Sequence, residues 1–63
     1  MSTSTDPLDR AAELLDRLEA ARAKLEQTQD PDEALELLSE ITELAREAHA
    51  EIERARREAD AQP

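Results

Sequence analysis

Asp-Pro occurs twice in this 63-residue chain, at Asp6-Pro7 and Asp30-Pro31. Each copy is a helix start. The Asp side-chain oxygen can accept from the free N–H groups of a first turn. Pro at the first helical position needs no N–H, and its fixed φ already suits a helix. An acid follows in both cases, Asp9 and Glu33, where it meets the positive end of the helix dipole. For Asp30 with Glu33 the spacing also allows a reciprocal capping box. Behind each start runs a stretch of Leu and Ala with no Gly or Pro inside it. The prediction is an all-α chain: helices over 7–28 and 31–60, folded as a two-helix antiparallel hairpin that assembles into a helical bundle.

The connection Gln27-Thr28-Gln29-Asp30 is short, which favours antiparallel neighbours. No Gly closes the first helix, so a single rod kinked at Pro31 is the alternative. Residues 1–5 are a polar tail without periodicity and are expected to be disordered, leaving 6–63 as a single α-hairpin domain.

Apolar spacing sets the expected faces. In the first helix Leu8, Leu15 and Arg22 repeat every seven residues, as do Ala11, Leu18 and Leu25; Leu14 and Ala21 widen the stripe. Arg22 interrupts this seam, and its charge must either snorkel outward or meet an acid from a neighbouring helix. In the second helix Leu38, Ala45, Ile52 and Ala59 form one row and Ala34, Ile41, Ala48 and Ala55 another. Leu37 and Leu44 lie beside that seam, with Leu35 on its other flank. A strict seven-residue period implies left-handed supercoiling with a partner helix. The expected interface residues are Leu15, Leu18, Leu25, Leu35, Leu38, Ile41, Leu44, Ala48, Ile52 and Ala55.

The large apolar residues number nine Leu, two Ile and Met1, with no aromatic residue and no Cys. A single hairpin with so little to bury points to an obligate assembly, and no disulfide can stabilise it. The net charge is −9, and no base lies between Lys24 and Arg46. Phosphate binding needs clustered cations, so direct nucleic-acid binding is not expected. The one basic cluster, Arg54, Arg56 and Arg57, alternates with Glu53 and Glu58 and reads as helix-surface pairs such as Glu53–Arg57. No run has the length of a membrane span and no secretion signal opens the chain, so a cytoplasmic location without membrane contact is the expectation.

Catalysis is not expected. The lone His49 has Glu53 one turn on, and two ligands make a poor metal site. Glu-x-x-His is absent because Arg46 holds the Glu position. Ser39 and Thr42 have no activating partner, and there is no Gly to build a phosphate loop. No catalytic, cofactor-binding or metal residue is assigned.

Asp32-Glu33-Ala34-Leu35, then Leu44, Ala48, and Ile52 with Ala55 resemble, without a gap, the second helix of the small subunit of bacterial exonuclease VII. That family shows E-E-A-L followed by L-x-x-x-C and L-x-x-A-E. Leu25-Glu26 is similar to the pair closing its first helix, and the likeness spans roughly residues 14–59. Leu38 stands where the family has an aromatic, Ile41 where it has Gly, Ala48 where it has Cys and Arg56 where it has Glu. The resemblance implies a non-catalytic helical subunit packed on the large subunit of a single-stranded DNA nuclease. The alternative needs no family: a self-associating coiled-coil module for dimerisation, docking or scaffolding. In either case the partner, a larger subunit or another copy, meets the seam of the second helix.

Overall fold

A computed structural model describes residues 6–61. They form two helices, α1 from Pro7–Gln27 and α2 from Pro31–Ala61, packed against each other as an antiparallel hairpin. The helix limits lie within one residue of those expected. The single kinked rod is excluded, and the expected disordered tail lies outside the described residues.

Both starts form as the Asp-Pro pairs require. Asp6 Oδ1 accepts from the Leu8 N–H at 3.0 Å, and Asp30 Oδ1 accepts from the Asp32 N–H at 3.0 Å. The capping box at the second start is not reciprocal. Glu33 accepts instead from the Thr28 hydroxyl, at 2.6 Å, and the same Thr28 oxygen accepts from the Asp30 N–H at 3.3 Å. Thr28 also ends α1: its extended backbone, φ −80° and ψ 145°, leaves the helix while its N–H still donates to the Lys24 carbonyl at 3.0 Å. The turn therefore needs no left-handed residue, and none occurs among the described residues. That explains how α1 stops without Gly.

The helices meet along one seam of period seven. Ala11, Leu18 and Leu25 alternate with Leu14 and Ala21 on α1; Ala34, Ile41, Ala48 and Ala55 alternate with Leu37 and Leu44 on α2. Leu14, Leu44 and Ala48, with Leu18 against them, form its centre, and Leu14 is 1 % exposed. One row per helix was expected in this role. The other was expected one residue later, at Leu8, Leu15 and Arg22 and at Leu38, Ala45 and Ile52. Those rows are exposed, and Leu14 with Ala21, and Leu37 with Leu44, take their place. Adjacent apolar pairs, Leu14-Leu15 and Leu37-Leu38, make the two frames equally periodic.

The seam weakens toward the free ends. After Ala48 the next position is Glu51, which keeps a side-chain exposure of 18 % and reaches across to Arg10 at 3.9 Å. An acid there is tolerated because Arg10 and, within α2, Arg54 at 3.6 Å lie beside it.

Candidate interaction surface

With the seam fixed, each helix has two flanking rows. Antiparallel helices are related by a two-fold axis normal to the plane that contains them. The row just after the seam on α1 therefore shares a face with the equivalent row on α2, and the rows just before it share the opposite face. The hairpin thus has two edges of different chemistry.

On the edge before the seam, α1 presents Arg10, Arg17 and Lys24, and α2 presents Glu33, Glu40 and Glu47, with Arg54 continuing that row toward the free end. Bases repeat every seven residues on one helix and acids every seven on the other. Arg17, Lys24 and Glu40 line a shallow groove of about 410 Å³ floored by Ala21 and Leu37. The Arg10–Glu51 pair lies further along toward the free ends. Opposite charge across this edge favours the antiparallel pairing that the short turn imposes. The repeat is legible in the sequence once the correct seam is known; without it, the rows look like ordinary surface charge.

On the edge after the seam, α1 presents Leu8 and Leu15, and α2 presents Leu38, Ala45, Ile52 and Ala59. Leu8 is 58 % exposed, Leu15 45 %, Leu38 48 % and Ile52 38 %. Arg22 continues the α1 row at the turn end. It does not meet an acid of α2; its guanidinium donates to Glu19 at 3.1 Å and to Glu26 at 2.6 Å within α1. The hydrogen bond to Glu19 and the charges of Glu19 and Glu26 hold this exposed guanidinium above its usual range. Arg22 is thereby paired within its own helix, and the apolar strip ends in a charge group of one base and two acids.

The ten expected interface residues divide between these surfaces. Leu18, Leu25, Ile41, Leu44, Ala48 and Ala55 turn toward the hairpin's own seam. Leu15, Leu38 and Ile52 lie on the exposed edge, and Leu35, 65 % exposed, borders its rim. Ile41 and Leu44 were expected to face a partner helix; in the hairpin that helix is α1.

The polar residues make ordinary helix-surface contacts. His49 lies 3.9 Å from Glu53 and is largely exposed. Glu53 reaches Arg56 at 3.4 Å rather than the expected Arg57, since residues three apart also share a helix face. Thr42 donates to the Leu38 carbonyl at 2.9 Å, which spends its hydroxyl on the backbone. Among the described residues there is no group of three or more His, Asp and Glu placed to hold a metal ion, and no helix long and apolar enough to cross a membrane.

No family model, curated protein or solved structure matches this chain.

Proposed function

We propose that this chain is a non-catalytic helical assembly module whose partner is bound by the exposed apolar edge. The observation that supports it most is the division of apolar residues. A hairpin that worked alone would need only the seam, a two-row stripe. Here a third row is apolar on both helices except for Arg22 at the turn end, which is the pattern of helices packed on more than one neighbour. Four large aliphatic side chains on one edge of so small a chain, each more than a third exposed, are surface kept for contact.

A narrower form of the same reading takes the module to be the small subunit of an exonuclease VII-like nuclease. It rests on the match at Asp32–Leu35, Leu44, Ala48, Ile52 and Ala55. Of these, Ile52 lies on the exposed edge, where a large subunit's helices could reach it. Catalysis would belong to that subunit. Co-expression with an exonuclease VII large subunit tests this form: a stoichiometric complex lost on Ile52→Gln supports it, and separate migration removes it.

The assembly reading itself is tested by the dilute, isolated chain. Circular dichroism at low micromolar concentration is expected to show partial helix and no sharp melting transition. A fully helical monomer that melts cooperatively, with a midpoint independent of concentration, would overturn it.

A further inference from the structure

From the exposed edge we infer that the partner is a second copy of this chain, packed edge to edge as a four-helix bundle. This rests on the assembly reading above and names its partner.

Three features of the edge select the occupant. The first is charge. The edge and its rim, the adjacent row four residues on from each position, hold Arg22 and Arg56 against Glu19 and Glu26. With His49 neutral the edge is electrically balanced, although the chain carries −9. A closed dimer brings identical surfaces together, so like charge at the contact would be doubled. This edge escapes that penalty. A basic partner would be drawn instead to the remaining surface, where all the excess acid lies.

The second is extent. α1 has 21 residues, a rod of about 31 Å. Two helices with axes about 8–10 Å apart present a face roughly 20 Å wide. The projected area is about 600 Å², near the ~800 Å² per partner that stable complexes bury.

The third is continuity. Leu15 adjoins Leu14 and Leu18, and Leu38 adjoins Leu37 and Ile41, so the strip extends the hairpin's own core to the surface without a polar break. A second copy placed on it merges two thin cores into one, and each hairpin becomes half of a bundle.

The full chain tests this. Sedimentation equilibrium across a hundredfold concentration range should give twice the 7.1 kDa chain mass at the upper end, with helix content rising in step. Leu15→Gln together with Leu38→Gln should weaken that association roughly a hundredfold or more, while Glu43→Gln on another face leaves it unchanged. Because the double variant could simply unfold, the edge is also probed on an otherwise intact surface. The chain has no Cys, so Ala45→Cys on the edge and Ala23→Cys on the outer face of α1 each accept one pyrene label. Excimer emission from position 45 and none from position 23 is expected. Equal emission from both, or none from 45 in a sample of dimer mass, overturns the edge. A chain that stays monomeric and weakly helical at every concentration overturns the second copy while the assembly reading stands. A stable monomer overturns both.

Discussion

The two edges of the hairpin have the same length and period and opposite chemistry. Along one, Arg10, Arg17 and Lys24 face Glu33, Glu40 and Glu47. Along the other, Leu8 and Leu15 stand beside Leu38, Ala45 and Ile52. The charged edge carries bases on one helix and acids on the other, and Arg10 reaches across to Glu51, so its complement lies within one chain. The apolar edge is incomplete, because apolar surface gains only when water leaves it, and nothing in the hairpin covers it. The difference separates two tasks: one edge sets how α1 and α2 pair, and the other offers a surface to something else.

The largest expected effect lies between the edges and serves as their reference. Leu14→Ala removes the most buried side chain and should cost about 2–5 kcal/mol in denaturant unfolding of the assembled protein. A loss below about 1 kcal/mol would mean that the seam is not where the fold is held. Next comes the apolar edge. Leu38→Gln should remove about 1 kcal/mol of burial per copy, roughly a tenfold or greater loss in association. Measured in dilute solution, it should leave the helicity of the separate chain within error. The charged edge follows. Arg17→Glu places an acid opposite Glu40 and should cost up to about 1 kcal/mol, recovered by adding Glu40→Lys. Failure of the second change to restore stability would show that the two rows do not interact. Salt should have a matching but smaller influence: a rise from low to high ionic strength should weaken the contribution of Arg10 and Glu51, tracked by the melting midpoint of wild type against Arg10→Gln. Smallest of all is Glu43→Gln, which breaks an exposed pair with Arg46 at 3.3 Å and should change stability by less than about 0.5 kcal/mol.

Helix limits were legible because Asp-Pro is a strong local signal whose physics does not depend on the rest of the chain. The antiparallel turn was legible from its length, and the role of Thr28 was not, since a hydroxyl that bridges Asp30 and Glu33 depends on turn geometry. One row of the seam on each helix could be read from spacing, and the second could not. Leu14 and Leu15, or Leu37 and Leu38, satisfy the same period, and Glu51 in the inner row argues against it while Ile52 in the outer row argues for the wrong one. Arg22 against Ala21 breaks the tie, as does the alternation of charge on the far edge, which only opposite-facing helices reveal. No reaction chemistry was legible. A chain of Leu, Ala and charged residues, with one exposed His, gives few groups from which to infer a reaction.

The turn has a further consequence, for how the hairpin comes apart. Thr28, Gln29 and Asp30 contain no Gly and keep negative φ; Thr28 and Asp30 side chains tie the turn to α2, and the Thr28 N–H ties it to α1 at the Lys24 carbonyl. Such a turn is a stiff joint with few conformations to gain on release. At the other end of the molecule the seam passes through Glu51 and α2 runs on past the start of α1. Opening should therefore begin at the free ends and travel toward the turn, as a zipper parts from its open end. Backbone amides near Ala55 and Ala11 should exchange with solvent hydrogen sooner than those near Leu37 and Leu25, and the last part of the chain to let go should be the joint itself.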